Sequence, residues 1–179
     1  MNFYIIPGYG ETIRTKGYAR LISAAKKKYS VVPINLQLQR RALPSELIEK
    51  ALKIIGKDKN AVICGFSTGA LFAYLISKRV QFSKGIFCSV TTALGKDSAE
   101  QITDYKKYLG AGAMKEFNNM RYGKTLARKA IFICGSEEGD MLVGRTKKLV
   151  RANSGKLIVV PGNDHEFNNT YVDNIISTL

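Results

Sequence analysis

The stretch that decides the fold covers residues 61–71 and reads Ala-Val-Ile-Cys-Gly-Phe-Ser-Thr-Gly-Ala-Leu. Its centre, residues 65–69, matches the pattern G-x-S-x-G. An apolar run with β-branched residues precedes this pattern, and a run of small and apolar residues typical of a helix follows it. A strand, a tight turn and a helix in this order are the setting in which such a serine forms a nucleophile elbow. We therefore interpret Ser67 as a candidate nucleophile.

The turn at Ser67 accounts for the two glycines of the pattern. The central residue of such an elbow has a strained backbone, and only small residues fit two positions before and after it. Gly65 and Gly69 occupy those positions. The helix that begins there directs free N–H groups toward the site, which favours a developing negative charge. The alternative is an ordinary glycine-rich turn between a strand and a helix.

Apolar runs alternate with helical patterns along most of the chain. The apolar runs are nearly continuous, which is typical of parallel strands buried on both faces. The sequence therefore predicts an α/β fold, with an open, mostly parallel six-stranded sheet and helices on both faces. Strands are predicted at residues 2–7, 30–36, 60–66, 84–90, 129–135 and 155–160, and helices at 11–29, 43–55, 68–79, 141–153 and 166–177.

One segment interrupts this alternation. Residues 91–128 contain no strand-like run but two helix-like pieces, at about 98–109 and 113–120. The sequence contains no internal repeat and no low-complexity linker. We therefore predict a single domain over residues 1–179, with a helical insertion at about 91–128 that could act as a small lid.

The chain is strongly basic, with 28 Lys+Arg against 14 Asp+Glu and a net charge of +14. Such a charge attracts anions, acidic polymers or anionic membranes. The basic residues are scattered over different predicted elements, and no RNA-binding aromatic pattern or zinc-finger spacing accompanies them. The sequence therefore predicts a solvated basic surface and no dedicated nucleic-acid site.

The cysteines and the apolar runs indicate the cellular setting. Cys64, Cys88 and Cys134 each lie in a predicted strand, where small buried side chains are expected rather than disulfides or metal ligands. No apolar run reaches the roughly 18 residues of a membrane span. We expect no membrane span, no metal, no organic cofactor and a cytoplasmic location.

A serine hydroxyl becomes a good nucleophile only when a base removes its proton. His165 is the single histidine of the chain and follows the last predicted strand. Parallel strands end at the same edge of the sheet, so this histidine and Ser67 are expected at one edge. We predict His165 as the base; the alternative is an ordinary histidine of a surface loop.

The base requires a carboxylate that holds its tautomer and stabilises the imidazolium. Candidates follow the fifth predicted strand in residues 135–140, which read Gly-Ser-Glu-Glu-Gly-Asp. Asp140 is the predicted acid, because it directly precedes an apolar helix start. Glu138 is the alternative acid. The structural alternative for Asp140 is a helix cap, since an aspartate there satisfies free N–H groups.

The negative charge that develops on a substrate oxygen requires preset hydrogen-bond donors. The backbone N–H of Thr68, directly after the nucleophile, is one predicted donor. The other is predicted in the loop after the first strand, at the backbone N–H of Tyr9. Gly8 and Gly10 flank Tyr9 and allow the backbone to approach closely.

The elbow serine, the acid after a later strand and the histidine after the last strand occur in an order that resembles the α/β-hydrolase superfamily. In size and sparse lid the chain is similar to the small serine hydrolases of that superfamily. Three features depart from the family pattern. Further opening strands are missing, and Pro7-Gly8 stands where His-Gly is frequent. Asp140 lies five positions after Gly135, farther than is usual, which keeps Glu138 open.

The resemblance implies a reduced α/β-hydrolase fold with a strand order of about 2-1-3-4-5-6. It also implies a serine hydrolase that cleaves a carboxylic ester or thioester through an acyl-serine intermediate. Its partner would be a small-molecule acyl substrate, and the net charge of +14 suggests an anionic one as an option. The alternative is a non-catalytic binding protein on an α/β-hydrolase scaffold, because a fold does not guarantee chemistry.

Overall fold

The computed structural model describes residues 1–36, 42–91, 106–107 and 109–179. Its strands are β1 (Asn2–Ile6), β2 (Ser30–Pro33), β3 (Val62–Phe66), β4 (Lys84–Cys88), β5 (Ala130–Gly135) and β6 (Lys156–Val160). They form one sheet in the order β2-β1-β3-β4-β5-β6, and every neighbouring pair is parallel. The predicted fold class and strand order are confirmed.

Helices in the described residues cover both faces of this sheet. One buried cluster contains side chains of α2, α3 and α4, and the other contains side chains of α1 and α6. The helices are α1 (Lys16–Ala25), α2 (Pro44–Ile55), α3 (Thr68–Ile76), α4 (Ala111–Asn119), α5 (Asp140–Asn153) and α6 (Asn169–Ile176).

The centre of the sheet is its most buried part. All five residues of β3 are buried, and so are eight of the nine residues of α3. This explains why their sequence is apolar throughout and not amphipathic. β3 lies between β1 and β4, and its register pairs Gly65 with Ile6. The loops that follow β1, β3 and β4 therefore meet at one edge of the sheet.

Two predicted helices begin later than expected, and both late starts lengthen loops at this edge. The helix predicted at 11–29 is confined to α1, and turns precede it, with hydrogen bonds from Glu11 N–H to the Gly8 carbonyl and from Thr15 N–H to the Thr12 carbonyl. The helix predicted at 166–177 begins at Asn169, because the Asn168 side chain caps it by accepting the Tyr171 N–H at 3.1 Å.

The described part of the insertion packs on the face of the sheet that α2 and α3 cover. Met114 and Phe117 of α4 are buried there, and the Phe117 ring meets the Phe72 ring edge-on. The Glu116 carboxylate accepts hydrogen bonds from the Ser45 N–H and hydroxyl, each at 2.9 Å, in the first turn of α2. The piece predicted at about 98–109 lies mostly outside the described residues. The single-domain prediction and the lid at 91–128 stay predictions.

Within the described residues, no helix has both the length and the apolar character needed to cross a membrane.

Candidate active site

The turn at Ser67 has the geometry of a strained elbow. Ser67 has φ 53° and ψ −122°, and it connects the end of β3 to the start of α3. A Cβ on Gly65 would lie 2.3 Å from the Gly69 carbonyl oxygen, and a Cβ on Gly69 would lie 2.2 Å from the Ile6 carbonyl oxygen. Neither position tolerates a side chain, because the backbone approaches too closely. The predicted need for two small residues therefore has a direct steric basis.

His165 lies in the loop after β6 and reaches Ser67. Its Nε2 atom is 2.8 Å from the Ser67 Oγ atom. The Phe66 ring packs beside the imidazole with a centroid distance of 5.3 Å. The Thr91 hydroxyl is a more distant neighbour, 3.4 Å from Ser67 Oγ. The structure thus brings together the two side chains that the sequence predicts as nucleophile and base.

The carboxylate that contacts His165 belongs to Glu138. Its Oε2 atom is 2.9 Å from His165 Nδ1, and its side chain is fully buried. Its Oε1 atom accepts from the Ser89 hydroxyl at 2.7 Å and from the Tyr171 hydroxyl and the Gly135 N–H at 2.5 Å each. With a carboxylate at Nδ1, the proton of neutral imidazole lies on Nδ1, so Nε2 is free to accept the Ser67 proton.

These hydrogen bonds determine the charge of Glu138. Burial alone would raise the pKa of its carboxyl, but hydrogen bonds from His165, Tyr171, Gly135 and Ser89 outweigh burial and lower the pKa below its ordinary value. Glu138 is therefore ionised at neutral pH. Burial and the neighbouring Glu138 raise the pKa of Tyr171, so this tyrosine stays a neutral donor.

The structure does not bring the predicted acid, Asp140, to His165. Asp140 is the first residue of α5 and is exposed, and the Nδ1 atom of His165 is already engaged by Glu138. The helix cap is Gly139, with φ 82°, so Asp140 does not cap α5 either. Its carboxylate at the helix start is favourable for the helix dipole. The contact with His165 thus goes to the alternative acid, Glu138.

The loops that carry Glu138 and His165 are locked together. The Glu137 N–H donates to the Asn163 carbonyl at 2.9 Å, and the Gly162 N–H donates to the Ser136 hydroxyl at 2.9 Å. A Cβ on Gly135 would lie 2.1 Å from the Asn163 carbonyl oxygen. A glycine at the end of β5 is therefore needed for the two loops to approach each other.

The predicted oxyanion donors lie in the expected loops. Thr68 is the first residue of α3, where N–H groups have no partner inside the helix. Tyr9 lies in the loop after β1 and is 52% exposed. This loop is fixed by Glu11, whose Oε2 atom accepts from the Gly8 N–H at 2.8 Å and the Tyr18 hydroxyl at 2.5 Å. The roles of Thr68 and Tyr9 as donors stay predictions.

A series of aromatic contacts connects the loop after β1, which carries Tyr9, to the loop after β6, which carries His165 and is called the histidine loop below. The Tyr18 ring stacks on the Phe167 ring with centroids 4.2 Å apart. The Phe167 ring packs on Phe66 at 5.0 Å, and Phe66 packs on His165. Glu11 and Tyr18 therefore support both sides of the site. Neither residue was predicted from the sequence, because a glutamate and a tyrosine seven positions apart match no motif.

Glu11 provides a testable positioning contact. We expect Glu11→Ala to lower kcat about tenfold with little change in KM, because a shifted Gly8 peptide misplaces the Tyr9 N–H and deletion of a full oxyanion donor costs about 100-fold or more. Glu11→Gln should recover most of the rate, since an amide oxygen still accepts from Gly8. The measurement is steady-state ester hydrolysis together with Tm.

Glu137→Ala is the matched control for Glu11, because Glu137 is an exposed carboxylate in the loop after β5. It should leave kcat close to that of the unmodified chain. Equal losses of kcat in Glu11→Ala and Glu137→Ala would show that local charge, and not the contact with Gly8, is responsible.

An open cavity of about 390 Å³ lies beside His165. The first turn of α1, around Lys16, forms one wall, and the histidine loop with Phe167 forms the other. Its volume suits part of a small organic molecule. In the described part of the chain, no group of three or more His, Cys, Asp or Glu side chains could hold a metal ion.

The sequence matches no protein-family profile and no curated protein. Solved structures are similar throughout the chain. Est1E from Butyrivibrio proteoclasticus with bound ferulic acid is 13% identical, with 99% of this chain and 85% of that chain covered and a TM-score of 0.77. Alpha/beta hydrolase domain-containing protein 10 from mouse is 11% identical, with 99% and 87% covered and a TM-score of 0.78. The thioesterase domain from the curacin biosynthetic pathway is 14% identical, with 99% and 90% covered and a TM-score of 0.69. The chain therefore has the α/β-hydrolase fold, which confirms the fold that the sequence resemblance implies.

Proposed function

We propose that the protein is a serine hydrolase that cleaves a carboxylic ester or thioester through an acyl-serine intermediate. One observation carries the proposal: Ser67, His165 and Glu138 form a continuous series of hydrogen bonds of 2.8 and 2.9 Å. The serine lies on a strained elbow at the start of a helix. A structural role alone would not require a strained serine, a histidine and a buried carboxylate in this sequence of contacts.

In the proposed reaction, Ser67 Oγ bonds to the acyl carbon while its proton passes to His165 Nε2. Glu138 holds the imidazole by Nδ1 and stabilises the imidazolium. The N–H groups of Thr68 and Tyr9 stabilise the oxyanion of the tetrahedral intermediate. His165 then gives its proton to the leaving oxygen or sulfur. A water molecule, deprotonated by the same imidazole, releases the acid and regenerates Ser67.

The substrate class follows from similarity to esterases and thioesterases and from the open cavity beside His165. A small-molecule acyl compound is the proposed partner. The described loops near the site carry Glu11, Glu137, Glu138, Asp164 and Glu166 against Arg14. This excess of negative charge does not favour an anionic substrate, and the anionic character of the substrate stays a prediction. The absence of a dedicated nucleic-acid site also stays a prediction. A cytoplasmic location is proposed as well, supported by three buried free cysteines.

A fluorophosphonate probe tests the proposal directly. Such probes react with activated serines, so we expect one covalent adduct, located on Ser67 by peptide mass spectrometry. The adduct should be absent after Ser67→Ala. The alternative, a non-catalytic binding protein on this fold, predicts no adduct in either form. Labelling elsewhere, with Ser67 unmodified, would contradict the proposed nucleophile.

A further inference from the structure

The edge of the sheet opposite the site is strongly basic. Parallel strands begin at a common edge, and the connections that lead into them carry most of these charges. Those connections and first strand positions hold thirteen exposed or half-exposed cations, of which Arg79 pairs with Glu49. We call this surface the basic edge and define it by nine of the thirteen. They are Lys26, Lys27, Lys28, Lys57, Lys59, Lys84, Arg128, Lys129 and Lys156.

Little negative charge compensates the basic edge. Asp58 is the one carboxylate in the same described connections, and it accepts a hydrogen bond from Asn2 Nδ2 at 2.7 Å. None of the nine cations forms an ion pair with a described residue. Burial, and then the positive charges of Lys129 and Lys28, lower the pKa of Lys84. Like charges are therefore close enough to repel one another, and a bound anionic surface would relieve this repulsion.

Favourable interactions with helix dipoles explain the positions of only some cations of the basic edge. Cations after a helix C-terminus are stabilising, which accounts for Lys26 after α1 and Lys57 after α2. Lys84 and Lys156 begin strands, and Lys129 directly precedes one, so no helix terminus requires them. The two edges of the sheet differ in charge, because the described loops at the opposite edge are acidic overall.

We propose that the basic edge is a docking surface for an anionic lipid bilayer. Six strands about 4.8 Å apart give this edge a width of about 24 Å, which suits a broad, flat partner. Two aliphatic side chains lie at or beside these connections with about half of their surface exposed: Leu126 at 51%, in the connection before β5, and Ile54 at 47%, in the last turn of α2. Basic residues attract anionic headgroups, and neighbouring aliphatic side chains add affinity by entering the interface.

Nucleic acid fits these observations less well. Proteins that bind single strands use exposed aromatic side chains for stacking, and those that bind duplexes usually insert a helix or strand into a groove. The exposed aromatic side chain among the described residues, Tyr9, lies at the opposite edge. A bilayer on the basic edge would leave Ser67 facing the aqueous phase. Docking is therefore independent of the proposed hydrolase chemistry.

The experiment measures binding to vesicles of phosphatidylcholine alone and of phosphatidylcholine mixed with phosphatidylserine. The full chain should bind only the mixed vesicles, and high salt should weaken the binding. Replacing Lys27, Lys59, Lys129 and Lys156 by glutamine should weaken binding at least about tenfold, with hydrolysis of a soluble ester unchanged. The matched control replaces Lys50, Lys115, Lys147 and Lys148, which are exposed on helix sides, and has the same net charge.

The control variant should retain most of the vesicle binding. Equal losses in the two variants would show that net charge alone attracts the protein, and this would overturn the docking surface. Ile54→Ser combined with Leu126→Ser should also weaken vesicle binding, because these side chains enter the interface. Tighter binding to duplex DNA or RNA than to mixed vesicles would assign the surface to nucleic acid instead.

Discussion

Replacing Ser67 by alanine should lower kcat for ester hydrolysis by about 100,000-fold or more, because loss of a nucleophile removes the whole covalent pathway. Alanine retains the Cβ atom and therefore leaves the elbow and its packing as they are. The Tm of the variant should stay close to that of the unmodified chain. Any remaining activity would come from direct attack of water on a substrate held by the oxyanion donors.

Ser83→Ala is the matched control for this substitution. The Ser83 hydroxyl donates to the Ala61 carbonyl at 2.9 Å near the start of β4, far along the strand from the site. Its loss should reduce stability by about 1 kcal/mol and leave kcat unchanged. Full esterase activity in purified Ser67→Ala protein would exclude Ser67 as the nucleophile, whatever the geometry around it.

The sequence predicted what local rules determine. Continuous apolar runs separated by helical patterns predicted the parallel sheet, and the resemblance to the α/β hydrolases supplied its strand order. The pattern G-x-S-x-G predicted that Ser67 lies on a tight turn, because Gly65 and Gly69 are required sterically there. His165 was the only candidate for the histidine base, because the chain has a single histidine. The juxtaposition of Ser67 with His165 was predictable because both follow strands that end at one edge.

The contact between the acid and His165 was not predictable by the same means. Several carboxylates follow β5, and which of them faces His165 depends on the conformation of the loop before α5. Gly139, at φ 82°, turns the chain so that Glu138 points inward and Asp140 opens the helix outside. The family spacing after Gly135 was the signal that favoured Glu138.

The remaining contacts come from distant parts of the chain. Ser89 and Tyr171 reach Glu138 from the end of β4 and from α6, so no window of sequence contains them together. Ser89 also has φ 51°, a conformation unusual for serine. Such contacts are set by tertiary packing, and a single sequence carries no separate signal for them.

Glu138→Gln should lower kcat about 10,000-fold with a small change in KM, since the corresponding change in a triad aspartate has an effect of this size. The contacts around Glu138 explain why. The Ser89 hydroxyl, the Tyr171 hydroxyl and the Gly135 N–H all donate to Oε1, so the amide oxygen of glutamine takes that position. Its NH₂ group then faces His165 Nδ1 and requires Nδ1 to accept. The imidazole proton moves to Nε2, where it cannot take the proton of Ser67.

Asp140→Asn is the matched control, because it makes the same chemical change two positions along the chain on an exposed side chain. We expect its kcat to stay within about threefold of the unmodified value, with a loss of stability of at most about 1 kcal/mol from the weakened helix-dipole interaction. NMR of the imidazole nitrogens should show Nδ1–H in the Asp140→Asn protein and Nε2–H in the Glu138→Gln protein. A large loss in Asp140→Asn with a normal rate in Glu138→Gln would return the catalytic role to Asp140. That outcome would require the loop before α5 to rearrange during the reaction.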